Sequence, residues 1–144
     1  MLLPDPAATD ALATRLAALA RPGDAILLEG PLGAGKSAFA RAFLRALAAD
    51  PGLEVPSPTF TLIQSYPLPG GVEAHHLDLY RLSSPAEVAA LGFEELREGI
   101  VIVEWPDRLG PLAPLDALRV VLDFAPEHGE AARRAILSGW EGRR

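Results

Sequence analysis

The stretch that most constrains this chain runs from Gly30 to Ser37 and reads GPLGAGKS, which fits the pattern Gly-x-x-x-x-Gly-Lys-Ser. The apolar run 25–29 before it predicts a buried strand, and the alanine- and leucine-rich stretch 37–48 after it predicts a helix. Glycines allow successive backbone N–H groups to turn inward around phosphate oxygens, and a helix N-terminus adds partial positive charge behind them. The sequence therefore predicts a phosphate-binding loop, called the glycine loop below, between a strand and a helix.

Two side chains at the end of the glycine loop supply the chemistry that phosphate binding needs. We expect Lys36 to contact the β- and γ-phosphates of a nucleotide and the Ser37 hydroxyl to bind Mg²⁺. Lys36 is the only lysine in a chain that otherwise uses arginine. That exception fits a site where the compact charge of lysine is required.

A second apolar run, 100–103, ends in the carboxylate of Glu104 and is followed by Trp105. Four β-branched residues before an acid predict a buried parallel strand with a carboxylate at its carboxyl end, where α/β sheets place their ligands. A buried carboxylate needs a partner or a cation. Glu104 is therefore a candidate Mg²⁺ ligand, and we expect its strand to lie beside the strand that ends at Glu29.

Polar segments lie between these two strands. Prolines on both sides of a serine make 55–59 an extended loop, and the hydroxyls of Thr59 and Thr61 are candidates for approaching a γ-phosphate. A strand is expected to begin near Phe60 and, after the turn signal 69–71, to be followed by a returning strand over 72–80. Asp78 on that strand is a candidate second carboxylate.

Two adjacent histidines precede Asp78 on the same predicted strand. His75 and His76 point to opposite faces of a strand, so they cannot hold one metal together. We interpret them as ordinary surface or core histidines. His76 shares its face with Asp78, which makes a polar stripe on one side of the strand.

Length and composition limit the remaining choices. The 144 residues predict one domain, 1–144, with an α/β fold: a P-loop NTPase three-layer sandwich whose mostly parallel sheet is flanked by helices. A strand over 118–124 and an ambiguous segment, 131–137, predict a C-terminal antiparallel extension. The net charge of −6 argues against an extended nucleic-acid surface. No apolar run is long enough to span a membrane, so we expect a cytoplasmic protein with no membrane partner.

Four motifs, taken in order, resemble the TsaE (YjeE) family. They are LGAGKS at 32–37, SPTFTL at 57–62, HLDLYRL at 76–82 and EWP at 104–106. The resemblance implies a small bacterial P-loop ATPase that binds ATP and Mg²⁺ and hydrolyses ATP weakly, with stimulation by its partners. Those partners are TsaB and TsaD, which form threonylcarbamoyladenosine in tRNA next to the anticodon, and the chain would meet tRNA only through them.

The resemblance also implies roles for individual residues. It assigns contacts with the nucleotide to the glycine-loop segment and to an aromatic residue beside the pocket: Leu32, Gly33, Ala34, Gly35, Lys36, Ser37 and Trp105. Ser37 and Glu104 are the implied Mg²⁺ ligands, and the implied catalytic residues are Lys36, Thr59, Asp78 and Glu104. Family members often carry a basic residue directly after the position of Gly129. This chain has Glu130 there, with Arg133 and Arg134 further on, and which residue closes the pocket stays open.

Other functions remain compatible with the glycine loop. A small-molecule kinase is the main alternative. Such kinases usually carry an arginine-bearing lid; no arginine-rich lid stretch stands out in this sequence, but Arg81, Arg97 and Arg108 leave a lid possible. A GTPase is disfavoured, since guanine recognition usually uses an Asn-Lys-x-Asp motif and the chain has no asparagine. A module that holds ATP without turnover differs from all of these, and phosphate release would separate it from an ATPase.

Overall fold

The computed structural model describes residues 1–59 and 61–144 and contains one mixed sheet of seven strands with helices on both faces. The strands are β1 (Leu2–Leu3), β2 (Ala25–Glu29), β3 (Ile63–Pro67), β4 (Glu73–Asp78), β5 (Ile100–Glu104), β6 (Leu118–Phe124) and β7 (Arg133–Ser138). The α-helices are α1 (Pro6–Ala17), α2 (Lys36–Leu47), α3 (Pro85–Ala90) and α4 (Phe93–Leu96). Two 3₁₀ segments, Pro106–Leu112 and Pro126–His128, complete the described elements.

The sheet order is β1-β7-β6-β2-β5-β4-β3. The four central strands β6, β2, β5 and β4 are parallel to their neighbours, so their carboxyl ends meet at one edge. β7 and β1 add antiparallel pairs on one side, and β3 adds an antiparallel pair with β4 on the other. The expected parallel sheet is therefore confined to the centre, and antiparallel strands extend it at both sides rather than only at the C-terminal side.

Apolar side chains cover both faces of the central strands. Ile26, Leu27 and Leu28 are completely buried in succession, as expected for a parallel strand between two helical layers. Helices α1 and α2 cover one face through a core that includes Leu16 and Phe39, while α3, α4 and the segment Pro106–Leu112 cover the other. Within the part of the chain that the structure describes, no helix is long and apolar enough to cross a membrane.

The structure decides some local expectations. The strand that ends at Glu104 pairs in parallel with the strand that ends at Glu29. The ambiguous segment 131–137 becomes a strand only from residue 133 onward, where β7 pairs along β6 and joins β1 on its other side. The expected strand start at Phe60 lies outside the described residues, and β3 begins at Ile63.

The amino ends of the central strands are tied to the last residues of the chain. Arg143 donates hydrogen bonds of 2.6 and 2.9 Å to the two carboxylate oxygens of Asp24, which directly precedes β2. The same guanidinium stacks on the ring of Trp140 at 4.6 Å. This bidentate ion pair fastens the C-terminal segment to the edge of the sheet opposite the glycine loop.

Candidate functional site

The glycine loop connects the end of β2 to the start of α2 in a backbone conformation that suits glycine. Gly30, Gly33 and Gly35 have φ values of 147°, 84° and 106°. A Cβ atom at Gly30 would lie 2.2 Å from the carbonyl oxygen of Leu122. The loop can therefore pass against β6 only without a side chain at Gly30, which explains this position of the motif in physical terms.

Lys36 begins α2, and its side chain folds back over the loop. Its ammonium group donates to the carbonyl oxygens of Gly30 and, at 3.3 Å, Pro31. The nitrogen also lies 3.7 Å from the ring centre of Trp105, and the residue is only 6% exposed. Burial lowers the pKa of Lys36, while the nearby carboxylates, Glu104 foremost, act in the opposite direction. A phosphate would supply the anionic partner that two carbonyl oxygens only partly replace.

Glu104 lies at the centre of a polar cluster at the end of β5. The Ser37 hydroxyl donates to its Oε1 atom at 3.2 Å, and Nε2 of His76 donates to its Oε2 atom at 2.6 Å. Glu104 and His76 are 3% and 1% exposed. The proximity follows from the register, because Asp78 lies opposite Glu104 on the neighbouring strand and His76 shares the face of Asp78.

The loop before β3 is attached to the end of β4 through hydroxyl groups. The Thr59 hydroxyl donates to Oδ2 of Asp78 at 3.1 Å and lies 2.7 Å from the Ser57 hydroxyl. The other Asp78 oxygen accepts from the N–H of Tyr80 at 3.0 Å. Thr61 instead accepts a hydrogen bond from Gln64. The structure therefore brings Thr59 and Asp78 together beside the loop and directs Thr61 to another partner.

Trp105 follows Glu104 directly and turns its ring over the glycine loop. Its φ of 59° lies in the left-handed region, an uncommon conformation for a bulky residue. The ring packs against Tyr80 with the two ring centres 4.9 Å apart. Trp105 thus forms a wall of the site between Lys36 and Tyr80.

These groups line one cleft of about 250 Å³ at the carboxyl ends of the central strands. The residues that line it come from the glycine loop, α2, the loop before β3, the end of β4 and the end of β5 with the residue after it: Leu32, Gly33, Gly35, Lys36, Ser37, Ala38, Thr59, Asp78, Glu104 and Trp105. Ala34 is absent from this lining because its side chain is buried and its N–H bonds to the Pro31 carbonyl. A cleft of about 500 Å³ lies between α1 and α2, but none of the charged residues buried in the described chain lines it.

The opposite side of the loop is contacted by Arg133 from β7. Its guanidinium donates to the carbonyl oxygen of Gly33 at 3.2 Å and lies 4.9 Å from the ring centre of Phe124. Arg134 pairs with Glu127 instead. Among the three residues left open by the sequence, Arg133 is therefore the one that the structure brings to the glycine loop.

Sequence reasoning missed the contact of His76 with Glu104. The available signal was weak: His76 shares a strand face with Asp78, but nothing local reveals that β4 lies beside β5. His75 has the ordinary role expected for it, because its Nδ1 atom bonds to the Ser65 hydroxyl at 2.7 Å. Phe124 was missed as well, since one aromatic residue at the end of a strand predicts nothing specific.

Comparisons with known proteins agree on one family. The family model described as "Threonylcarbamoyl adenosine biosynthesis protein TsaE" matches residues 3–135. Relatives named "tRNA threonylcarbamoyladenosine biosynthesis protein TsaE" include one from Rickettsia felis, 37% identical over 83% of this chain and 70% of the relative. Another, from Bacillus subtilis, is 38% identical over 84% of this chain and 75% of the relative.

A solved structure supports the same similarity at the level of the fold. The crystal structure of Bacillus subtilis YdiB superposes with a TM-score of 0.76 and 30% sequence identity. The superposition covers 99% of this chain and 86% of YdiB. The similarity therefore extends over the sheet, both helical layers and the glycine loop.

Proposed function

Because the chain belongs to the TsaE family of tRNA threonylcarbamoyladenosine biosynthesis proteins, we propose that it acts in this pathway as a Mg²⁺-dependent ATPase. The observation that carries this proposal is the arrangement at the carboxyl ends of the parallel strands, where the buried side chains of Lys36 and Glu104 meet the Ser37 hydroxyl at the surface of the cleft. We assign residues 1–144 to a single P-loop NTPase domain and place its work in the cytoplasm.

The oxygen donors of the cleft suit Mg²⁺. Ser37 and Glu104 offer a hydroxyl and a carboxylate oxygen that lie 3.2 Å apart. Magnesium is usually bound by one or two protein oxygens, with phosphate and water oxygens completing its shell. These two residues would hold the ion, which when bound neutralises charge on the phosphates.

The remaining polar residues have separate roles in the proposed hydrolysis. Lys36 binds the β- and γ-phosphate oxygens, exchanging its contacts with the Gly30 and Pro31 carbonyls for an anionic partner. Asp78 and Thr59 are bonded to each other beside the cleft, where they can orient an attacking water. The preformed loop N–H groups bind phosphate oxygens without large rearrangement.

Two aromatic residues would lie on either side of the nucleotide. Trp105 covers Lys36 on one side. On the other side, Phe124 lies beneath the Arg133 guanidinium, next to the Gly33 carbonyl. We propose that Arg133 closes this side of the pocket in place of the basic residue that many family members carry after the position of Gly129.

We propose that the chain acts on tRNA only through the TsaB and TsaD proteins. The net charge of −6 disfavours direct tRNA binding, because phosphate contacts need clustered basic residues. Tyr80 and Leu32 expose large apolar surfaces at the rim of the cleft, with exposures of 54% and 83%. A partner seated there would sense the loop that Thr59 attaches to Asp78, and hydrolysis would release that loop.

The deciding experiment measures phosphate release from ATP by the chain alone, with the TsaB–TsaD complex, and with that complex plus EDTA. We expect slow Mg²⁺-dependent release alone and faster release with the complex. Replacing Thr59 or Asp78 with alanine should abolish the stimulation while leaving the fold intact. A rate that ignores the complex in every condition would contradict the proposed function.

A small-molecule kinase stays the alternative function, and a phosphoacceptor screen would test it. Arg97 lies near Glu94 and Asp116, and Arg108 contacts Asp107, so both arginines have acidic neighbours. Neither of them lines the cleft around the glycine loop. Rapid transfer of the γ-phosphate to a metabolite in a phosphoacceptor screen would favour the kinase.

A further inference from the structure

We propose that His76 is a positioning residue, which fixes the carboxylate of Glu104 so that one oxygen faces Ser37 and the metal position. This inference rests on the proposed function, because it assigns His76 a role in Mg²⁺ binding. The imidazole is expected to act only through Glu104, since Glu104 is its only hydrogen-bond partner in the described chain.

The two oxygens of Glu104 are distinguished by their partners. Oε2 accepts from Nε2 of His76 at 2.6 Å, while Oε1 accepts from the Ser37 hydroxyl at 3.2 Å. The short bond to His76 restricts rotation of the carboxylate about the last side-chain torsion of Glu104, whose angle otherwise varies over a broad range. Oε1 is thereby held toward Ser37 before any ion arrives.

His76 cannot easily make a different contact. The residue is 1% exposed, and its Nδ1 atom is buried without a hydrogen-bond partner among residues 1–59 and 61–144. An imidazole placed only for packing would leave both nitrogens unsatisfied at a cost. The directed Nε2 bond therefore indicates that the position serves Glu104.

Partners that orient a metal ligand from behind commonly affect metal affinity. Replacing such a group typically costs about 10- to 100-fold in metal affinity or activity. Glu104 without His76 would be a buried carboxylate whose Oε2 atom lacks a donor, so its side chain would turn toward other donors or recruit water. Replacing His76 should therefore lower the affinity for the metal rather than the affinity for the nucleotide itself.

The neighbouring histidine provides a matched control. His75 lies on the opposite face of β4, where it bonds to Ser65 and is likewise largely buried. It does not line the cleft around the glycine loop. His75→Phe therefore introduces the same change of side chain at an adjacent position of the same strand, away from Glu104.

The experiment measures ADP binding by calorimetry in EDTA and across a Mg²⁺ titration for the wild type, His76→Phe, His76→Gln and His75→Phe. We expect His76→Phe to lower the Mg²⁺ affinity of the ADP complex by about 10- to 100-fold. Metal-free ADP affinity should change by less than about twofold, because the phosphate contacts do not involve His76. Gln carries an N–H donor at a reach similar to that of Nε2, so His76→Gln should recover most of the affinity, and His75→Phe should resemble the wild type.

Three results would overturn the inference. One is a Mg²⁺ affinity of His76→Phe equal to that of the wild type, and another is an equal loss in EDTA and in Mg²⁺, which would indicate a structural role. The third is a wild type whose ADP binding does not depend on Mg²⁺, which would also overturn the proposed function.

If His76→Phe does not fold, His76→Asn takes its place. The shorter amide of Asn should lose the Mg²⁺ affinity that His76→Gln retains, and equal Mg²⁺ affinities of His76→Asn and His76→Gln would contradict the proposal.

Discussion

The two ends of the central parallel strands carry charged groups in different ways. At the carboxyl ends Lys36, Asp78 and Glu104 are each less than a tenth exposed and bonded to hydroxyl, carbonyl or imidazole groups. At the amino ends Asp24 and Arg143 form a bidentate ion pair that water still reaches. Burying charge is costly, so groups held at the carboxyl ends indicate function, whereas the pair at the amino ends indicates attachment of the chain terminus.

This comparison predicts that the two ends respond differently to mutation. Changes at the carboxyl ends should remove binding or turnover with little loss of folding stability. Changes at the amino ends should lower the free energy of unfolding and leave ATP binding intact.

The largest effect is expected for Lys36→Ala. Removing the ammonium group that we propose contacts the phosphates should weaken ATP binding by about 100-fold or more, measured by calorimetry. Arg41→Ala removes a cation from an exposed position on the same helix and should bind ATP like the parent. Equal losses in the two variants would show that net charge, rather than this site, attracts the nucleotide.

The next effect concerns the carboxylates that end two neighbouring strands. Glu104→Ala should retain most metal-free ATP binding but lower Mg²⁺-dependent phosphate release by about 10- to 100-fold. Glu29→Ala serves as the control, because Glu29 is partly exposed, pairs with Arg119 at 3.3 Å and does not line the cleft around the glycine loop. A Glu29→Ala variant that lost Mg²⁺ dependence while Glu104→Ala kept it would place the metal elsewhere.

At the amino ends, Arg143→Ala should lower the free energy of unfolding by about 1–2 kcal/mol, since it removes a bidentate bond to Asp24 and the stack on Trp140. Denaturant unfolding measures this loss, and ATP affinity should stay unchanged. Arg21→Ala is the control, as Arg21 bonds to Asp24 through its backbone N–H and carbonyl groups, which the substitution leaves in place. A loss of ATP binding in Arg143→Ala would remove the distinction between the two ends.

The smallest effect is a pH dependence of stability at His75. Burial lowers the pKa of His75 below its usual 6.5, and Glu73 opposes this shift only in part. As the pH falls, His75 of the unfolded chain therefore binds a proton at a higher pH than His75 of the folded chain. The stability that neutral His75 contributes is complete above about pH 6.5 and is lost as the pH drops from there through the folded pKa. His75→Gln should show a shallower loss of unfolding free energy between pH 7 and 5, and an unchanged slope would contradict the assignment.

The sequence predicted the parts of the site that depend on local pattern. Gly30 to Ser37 form a contiguous motif, and Glu104 ends a strand whose apolar run marks it as buried, so both could be located without knowing the sheet order. The pairing of β2 with β5 followed because parallel strands that end in ligand residues meet at one edge.

The parts that sequence missed depend on contacts between distant segments. His76 reaches Glu104 only because β4 lies beside β5 with Asp78 opposite Glu104. Arg133, rather than Arg134, reaches the Gly33 carbonyl because alternation along β7 sends neighbouring side chains to opposite faces. The register of that strand is fixed by its pairing with β6, which local composition does not reveal.

The most direct test of the carboxyl-end site is a crystal structure of the chain with Mg²⁺ and a non-hydrolysable ATP analogue. We expect the β- and γ-phosphates to lie against the backbone N–H groups of residues 32–37 and against Lys36. We also expect the ion to be bound by Ser37 and Glu104, with His76 still bonded to the other Glu104 oxygen. Phosphates bound at another surface, or an ion with neither Ser37 nor Glu104 in its shell, would contradict the proposed site.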